Sequence, residues 1–141
     1  MASAEDLTAV VEGLLHEDTQ VTEMGLDLTV SEVYGVDEPG RIDFGGGELE
    51  SATVTAHEKE WRDSDDDYQW WNLDAGQYLI EYNERLETDT PLLLQPRDET
   101  LERGASHSTV YVEQLPRIPL SVSEGGIKLK ENARISTLIE K

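Results

Sequence analysis

Short strand-like segments separated by turn residues are the feature that most limits how this chain can fold. Nine segments are rich in β-branched, aromatic or alternating apolar residues, and none exceeds ten residues. They are Val21–Val30, Glu48–Ala56, Gln69–Leu73, Gln77–Leu86, Pro91–Gln95, Ser108–Leu115, Ile118–Val122, Ile127–Leu129 and Arg134–Ile139. Turn residues stand between them, as in Tyr34–Gly40 and Gly45–Gly47. This pattern predicts an all-β barrel or sandwich.

One segment near the N-terminus has a helical spacing instead. Its apolar residues fall at i, i+3, i+4, i+7 and i+8, namely Leu7, Val10, Val11, Leu14 and Leu15. Ser3 and Asp6 are spaced as an N-cap residue and its acidic partner. The sequence therefore predicts one short amphipathic helix over residues 3–15, ending before the polar stretch 16–20.

The length of the chain, 141 residues, suits a single hydrophobic core. No internal repeat or linker divides it. We therefore expect one domain over residues 1–141.

The chain carries 31 acidic and 11 basic residues, a net charge of −20 that is spread over its length. Such a surface repels phosphate backbones, so the charge excludes nucleic-acid binding. It suits a protein that works in concentrated salt, because the Debye length falls to about 3 Å at 1 M and screens self-repulsion. We expect a halophilic protein; the alternative is an acidic protein whose charge only serves solubility.

Cysteine is absent, which excludes disulfides, thiolate nucleophiles and Cys-ligated metals. No apolar run approaches 18 residues, so the sequence predicts no membrane-spanning segment. Residues 1–6 lack the basic and apolar regions of a secretory signal. We therefore expect a cytoplasmic protein.

The Asp-rich segment resembles a calcium-binding loop in part. Asp63, Asp65 and Asp67 occupy positions 1, 3 and 5 of such a loop, but Tyr68 stands where Gly is required and Asp74 where Glu is required. The sequence therefore predicts an exposed acidic hairpin tip and no metal site.

The three histidines, His16, His57 and His107, are isolated from one another, which excludes a zinc site by spacing. His107 lies between Ser106 and Ser108, but neighbouring residues of a strand point to opposite faces. We therefore expect no hydrolase triad here.

Trp70 and Trp71 are adjacent in a predicted strand, so their side chains should point to opposite faces of the sheet. We expect one to enter the core and the other to cover a second surface, such as a subunit interface.

Four groups of motifs follow one another along residues 21–140. The first comprises GLDLTV (25–30), EVY (32–34) and EPGRI (38–42); the others are AGQYLI (75–80), QPR to Gly104 (95–104) and KENARISTLI (130–139). In this order they resemble the dUTPase/dCTP deaminase superfamily, notably its archaeal members. The family's phosphate turn reads P-R-S-S-L-x-R-x-G, and its closing strand reads G-x-R-I-A-Q-L-I.

The resemblance implies a distorted antiparallel β-barrel of the dUTPase-like β-clip type over residues 21–140, and a homotrimer with active sites between subunits. Family members hydrolyse dUTP to dUMP and diphosphate, deaminate dCTP, or do both, with Mg²⁺ on the triphosphate. The resemblance places Asp27 near the magnesium hydration shell and Arg97, Arg103 and Arg134 at the nucleotide.

Several family residues are replaced. The two serines of the phosphate turn are Asp98 and Glu99, which accept hydrogen bonds and repel phosphates. The general-base Asp has its nearest counterpart in Glu113, the deaminase Glu falls at Ser121, and the closing-strand Gln is Thr137. The Gly-rich arm that covers nucleotide in dUTPases is absent from the sequence.

These replacements lead to three hypotheses. The first is a deoxynucleoside triphosphate-binding protein with weak or lost catalysis, in which the three arginines contact the nucleotide. The second is an active, divergent dUTP diphosphatase or dCTP deaminase, with Glu99 or Glu113 as the base beside Asp27. The third is an acidic interaction subunit without enzymatic activity. Mg²⁺ is expected only together with a nucleotide.

Overall fold

The computed structural model describes residues 4–140, and within them it contains three short helices and twelve strands. In chain order these are α1 (Ala4–Leu7), β1 (Val11–Glu12), α2 (Glu17–Gln20), β2 (Leu26–Glu38), β3 (Thr53–Ala56), β4 (Trp70–Leu73), β5 (Gly76–Tyr82), β6 (Arg85–Leu86), β7 (Leu92–Pro96), α3 (Asp98–Glu102), β8 (Ala105–Ser106), β9 (Val110–Val112), β10 (Ile118–Val122), β11 (Ile127–Lys130) and β12 (Arg134–Ile139). The predicted all-β class is confirmed.

Eight strands form one antiparallel sheet in the order β8-β10-β5-β2-β12-β7-β9, with β3 paired to the far end of β2. The 13-residue β2 pairs with β12, then with β5 and finally with β3. Its register shifts between Val30 and Glu32 and again between Val36 and Glu38. Because such bulges bend and twist a strand, the sheet curls into a half-barrel. The predicted distorted antiparallel barrel is confirmed in this form.

The first half of β2 is buried on both faces. Leu26 and Leu28 are fully buried in the hydrophobic core, and the intervening Asp27 is only 2% exposed. Successive side chains of a strand point to opposite faces, so the second face of β2 buries polar groups. Those groups require hydrogen-bond partners, and their partners form the site described below.

The predicted helix over residues 3–15 is wrong in its extent, and its first residue lies outside the described chain. α1 ends at Leu7, residues 8–10 form a turn, and β1 then pairs with β6. Leu7 and Val11 are buried as the spacing indicates, but Leu15 is 51% exposed. The Val-Val pair favours an extended backbone, and the partner strand β6 is available, so tertiary pairing overrides the helical spacing.

A second helix, α2, lies in the polar stretch 16–20, which the sequence predicts only as the segment after the first helix. The His16 side chain caps α2 by accepting a hydrogen bond from the backbone N–H of Thr19 at 3.2 Å. The Gln20 side chain accepts hydrogen bonds from the backbone N–H groups of Leu15 and His16 at 2.8 and 2.9 Å. These side-chain acceptors satisfy backbone N–H groups at the start of α2 and so stabilise the short helix.

Several strand boundaries differ from the prediction, and the two largest differences lie around β2 and β3. Tyr34–Gly40 was expected to be a turn, but β2 continues to Glu38 because β3 pairs alongside it. The segment Glu48–Ala56 becomes a strand only at Thr53, since its first residues belong to a separate hairpin closed by Glu50.

The two adjacent tryptophans lie as the alternation predicts. Trp71 is fully buried in the core, whereas Trp70 is partly exposed between the guanidinium of Arg62 and the ammonium of Lys130, 4.9 and 5.5 Å from its ring centroid. The backbone pair between Glu60 and Trp70 closes the Asp-rich hairpin, whose tip is exposed.

Candidate functional site

Asp27 is the centre of a polar cluster on strands β2 and β12. Thr137 lies opposite it in the ladder and donates a hydrogen bond from Oγ1 to Asp27 Oδ1 at 2.9 Å. The other carboxylate oxygen, Oδ2, lies 3.0 Å from Nη1 of Arg134 and 3.3 Å from Nε of Arg97. One carboxylate is thus shared by two guanidinium groups, and the cluster has a net positive charge.

Arg97 reaches this position because β7 ends at Pro96, beside β12. The backbone N–H of Arg97 donates to the carbonyl of Ile135 at 3.0 Å, and its Nη1 donates to the carbonyl of Arg134 at 2.9 Å. Thr100, in the following helix α3, also donates to the Ile135 carbonyl, at 2.9 Å. These bonds fix the turn after β7 against β12, so the position of the guanidinium is set by the sheet.

A cleft of about 190 Å³ opens beside the cluster. Its lining includes Asp27, Arg97, Asp98, Glu99 and Met24. The side chains of Arg97 and Arg134 keep 20% and 33% of their exposure, so both remain accessible from solvent. Asp98 and Glu99 are exposed at the rim, where a phosphate-binding turn would present donors. The cleft therefore combines one guanidinium group, that of Arg97, with the exposed carboxylates of Asp98 and Glu99.

The remaining predicted site residues lie at different distances from this cleft. Glu99 lines it, but Arg103 forms ion pairs with Glu99 and Glu102 at 3.2 and 3.7 Å and lines a separate pocket of about 680 Å³. Lys128 lines that second pocket as well. Arg103 therefore contacts Glu99, which lines the cleft, but does not line the cleft itself.

Glu113 is not brought to the cleft within one chain. It follows β9, whose last residue, Val112, pairs with Leu92 at the start of β7. Arg97 follows the opposite end of β7, five positions further along the strand, which corresponds to about 17 Å. Within one subunit Glu113 therefore does not line the cleft beside Asp27, and its role as a base stays a prediction.

The residues that stand in place of the deaminase Glu and of the closing-strand Gln both make hydrogen bonds within the chain. Ser121 is exposed on β10 and donates a hydrogen bond to Gln77 Oε1 at 3.0 Å. Thr137, in place of the closing-strand Gln, is committed to Asp27.

A buried chain of hydrogen bonds around His107 was missed by sequence reasoning. His107 Nδ1 lies 2.9 Å from the carbonyl oxygen of Ser108, which can only accept, so Nδ1 carries the proton. Nε2 then accepts from Ser136 Oγ at 2.7 Å, and Ser136 accepts from the hydroxyl of Tyr82 at 2.6 Å. Burial lowers the pKa of His107 and raises the pKa of Tyr82, so both are held neutral. Ser136 is 29 positions from His107, and no local motif signals the pair.

A second missed cluster surrounds Glu84, which is 2% exposed. Its carboxylate accepts from the backbone N–H and hydroxyl of Thr29 at 2.9 and 2.6 Å and from Gln20 Nε2 at 2.8 Å. Burial raises the pKa of Glu84 against the lowering effect of these bonds. Gln20 also donates to the backbone carbonyl of Asp27 at 2.9 Å, which links this cluster to the first.

The carboxylates at the cleft differ in how well they fit a magnesium ion. Both oxygens of Asp27 already accept hydrogen bonds, so Asp27 does not fit direct metal ligation. Asp98 and Glu99 are exposed oxygen donors at the rim, and Mg²⁺ commonly uses one or two carboxylates together with substrate phosphates. Within residues 4–140 no group of three or more acidic or histidine side chains could hold a metal ion alone.

No helix within residues 4–140 has the length and apolar character needed to cross a membrane.

The chain is similar to archaeal proteins of one name, although no protein-family model matches it. It is 31% identical over 139 residues to a probable deoxyuridine 5'-triphosphate nucleotidohydrolase of Archaeoglobus fulgidus, covering 91% of this chain and 78% of the relative. A protein of the same name from Methanosarcina acetivorans is 27% identical over 137 residues, covering 92% of this chain and 77% of that one.

A solved structure supports the fold. The crystal structure of 2'-deoxycytidine 5'-triphosphate deaminase from Agrobacterium tumefaciens matches 97% of this chain with a TM-score of 0.59 and 17% sequence identity. The chain spans 46% of that deaminase chain, so it has less than half of the deaminase's length.

Proposed function

Because this chain belongs to the dUTPase/dCTP deaminase superfamily, we propose that it binds a deoxynucleoside triphosphate at the cleft beside Asp27, with weak or lost catalysis. The observation that carries this proposal is the guanidinium of Arg97, which lines the cleft and shares the buried carboxylate of Asp27 with the guanidinium of Arg134. A planar guanidinium is well suited to bidentate contact with phosphate oxygens. Their excess positive charge favours a polyanion in an otherwise acidic protein.

Weak catalysis follows from the groups around the nucleotide. Asp98 and Glu99 stand where donors to the phosphates are needed, and removal of one positioned donor typically costs about 10²–10³-fold in rate. Asp27 already accepts hydrogen bonds on both oxygens, so it is poorly placed to take a proton from water. Glu113 lies at the far end of β7.

Magnesium would offset the acidic rim. A triphosphate brings several negative charges towards Asp98 and Glu99, which would repel it unless a cation lies between them. Bound Mg²⁺ would supply that charge, with Asp98 and Glu99 as direct or water-mediated ligands. We therefore expect nucleotide binding to require Mg²⁺ in this protein.

The proposal includes a homotrimer. The cleft of one chain, about 190 Å³, is smaller than the roughly 300–1,000 Å³ of ordinary small-molecule sites. A neighbouring copy that closes the cleft would enlarge the enclosed volume and could bring its own Glu113 or Arg103 to the nucleotide.

An active, divergent dUTP diphosphatase or dCTP deaminase is the second candidate. It is favoured by Glu99, an exposed carboxylate that lines the cleft and could act as a base once the nucleotide is bound. The third hypothesis, an acidic interaction subunit without enzymatic activity, is one possible outcome of the test below.

The test is incubation with dUTP or dCTP and Mg²⁺ in multimolar KCl, with assays for diphosphate, ammonia and melting temperature. A rise in melting temperature with turnover well below about 1 s⁻¹ is the expected result. Turnover above that value would instead establish the active enzyme. If neither nucleotide changes the melting temperature, the result would favour the interaction subunit.

We also propose that the protein works in the salt-rich cytoplasm of a halophile. Its net charge of −20 destabilises the compact state at low ionic strength, and salt screens this repulsion. The melting temperature should rise steeply between 0.1 and about 2 M KCl. A melting temperature that is independent of KCl would contradict the proposal.

A further inference from the structure

One row of side chains crosses three neighbouring strands at the cleft. Thr137 lies opposite Asp27 in the ladder between β2 and β12, and it lies opposite Gln95 in the ladder between β12 and β7. Residues that lie opposite one another in a ladder have their side chains on the same face of the sheet. Asp27, Thr137 and Gln95 therefore form a row across β2, β12 and β7, and all three line the cleft.

Gln95 and Arg97 share one face at the end of β7. Leu94 and Pro96 are buried, and the partly exposed Gln95 and Arg97 alternate with them. Side chains two positions apart in an extended chain lie about 7 Å apart on the same face. The amide of Gln95 and the guanidinium of Arg97 can therefore contact one ligand that spans this distance, as a chain of linked phosphates does.

The side-chain amide of Gln95 has no hydrogen-bond partner in the part of the chain that the structure describes, residues 4–140. Its neighbour in the row, Thr137, instead donates to Asp27 at 2.9 Å. The amide of Gln20 is also occupied, since its Nε2 donates to the backbone carbonyl of Asp27 and to Glu84. A glutamine amide offers two N–H donors and one carbonyl acceptor, so those of Gln95 are available to a ligand in the cleft.

The amide lies beside the turn that lacks donors for a phosphate. Asp98 and Glu99 line the cleft but, when ionised, can only accept hydrogen bonds. Arg97 uses its Nε and Nη1 for contacts within the protein, which leaves only part of its guanidinium for a ligand. The NH₂ group of Gln95 can turn towards an anion, because the last torsion of a glutamine side chain is broadly distributed. Gln95 therefore adds donors where the turn supplies carboxylates.

We propose that Gln95 is a phosphate-binding residue, whose amide N–H groups donate to phosphate oxygens of the nucleotide in place of the donors that positions 98 and 99 lack. This inference rests on the proposed function and deepens it, since the resemblance gives Gln95 no role. A hydrogen bond from a neutral donor to a charged acceptor is among the stronger ones in proteins. Gln95 and Arg97 together would hold the phosphates from one face of β7.

Calorimetric titration of the full chain in multimolar KCl tests the contact, with Mg·dUTP, Mg·dCTP and inorganic tripolyphosphate with Mg²⁺ as the probes. Gln95→Met keeps the length of the side chain and removes both donors, so it should weaken nucleotide and tripolyphosphate by about tenfold each. The control Gln114→Met, at an exposed position outside the cleft, should bind as the wild type does. Unchanged affinities in Gln95→Met would overturn the proposal. So would a loss confined to the nucleotides, because the amide would then contact the base or the sugar.

A second variant separates donation to phosphate from support of the fold. Gln95→Lys restores a donor at the same position, so it should recover the tripolyphosphate affinity that Gln95→Met loses. The melting temperature without ligand should be unchanged in both variants, because the amide has no partner within residues 4–140 to lose. Equal losses of affinity in the two variants, or a clear drop in both melting temperatures, would show a structural role and overturn the proposal.

The outcomes separate this contact from the proposed function. Nucleotide binding by the wild type that is weakened in Arg97→Gln but unchanged in Gln95→Met would reject the role of Gln95 and leave the nucleotide site standing. No binding of either nucleotide by the wild type would reject both.

Discussion

Asp27 and Glu84 are both 2% exposed, yet the protein compensates their charges in opposite ways. Asp27 faces the guanidinium groups of Arg97 and Arg134, whereas the hydrogen bonds that Glu84 accepts come from uncharged groups of Thr29 and Gln20. The first arrangement carries positive charge to a solvent-accessible cleft. The second ties α2 to the sheet and leaves a carboxyl whose pKa is raised by burial. Burial alone therefore does not distinguish the two carboxyls; the charge of their partners does.

The largest effect is expected from Asp27→Asn, which leaves two guanidinium groups without their shared carboxylate. Removing one partner of a buried ion pair costs about 3–5 kcal/mol, and partial exposure of both arginines should reduce this to about 2–3 kcal/mol. The free energy of unfolding from urea titration in 2 M KCl provides the measurement. A loss below about 0.5 kcal/mol would show that the cluster is not a stabilising unit.

A smaller loss is expected from Glu84→Gln, about 1–2 kcal/mol. The new amide places donors against those of Thr29 and Gln20, but it also removes the cost of burying a charge. The same urea titration measures it. A loss larger than that of Asp27→Asn would reverse the comparison between the two carboxyls.

The pH dependence of stability sharpens the comparison further. Burial raises the pKa of Glu84 above 4.5, so between that value and its folded pKa the folded state binds more protons than the unfolded state. The stabilisation by protonated Glu84 is thus fully present below pH 4.5 and is lost as the pH rises through the folded pKa. Glu84→Gln removes this contribution, so the difference between the pH profiles of wild type and variant should show this slope, as measured by urea titration at several pH values.

His107 should contribute the opposite slope. Its pKa is lowered from 6.5, so the unfolded state binds more protons and stability falls as the pH drops below 6.5. His107→Gln should flatten this part of the profile, as measured by unfolding free energy between pH 4 and 8. Parallel profiles for this variant and wild type would show that His107 is not held neutral.

The smallest effect is expected from Glu50→Gln, which breaks the ion pair with Arg41 at 61% and 59% side-chain exposure. Exposed pairs contribute about 0.2–1 kcal/mol, and concentrated KCl should reduce this further. A loss comparable with that of Asp27→Asn would mean that burial does not set the scale.

The Asp27 cluster could be predicted from the sequence because its members come from motifs with a known order. Asp27, Arg97 and Arg134 stand in three segments that become the neighbouring strands β2, β12 and the end of β7. Their contact follows from the strand order of the fold, and the resemblance had already assigned all three residues to the site. The place of Glu113 near the start of β7 could not be predicted, because it depends on the register between β7 and β9, which no motif specifies.

The Glu84 cluster could not be predicted. Gln20 and Glu84 are 64 positions apart, and their contact depends on α2, a helix that the polar sequence of 16–20 did not indicate. Long-range polar contacts of this kind have no periodic signature. The hairpin closed by Arg41 and Glu50 was not predicted either, because glycines 45–47 indicated a break and the residues from Glu48 onward indicated a strand.

Calorimetric titration of Mg·dUTP and Mg·dCTP in multimolar KCl tests the central claim most directly. The wild type and the exposed control Arg85→Gln should bind at least one of the two nucleotides with equal affinity, whereas Arg97→Gln should lose at least about tenfold, since a hydrogen bond from a charged group contributes about 1.5–3 kcal/mol. Equal binding by all three proteins, or no binding by the wild type, would contradict a nucleotide site built on Asp27.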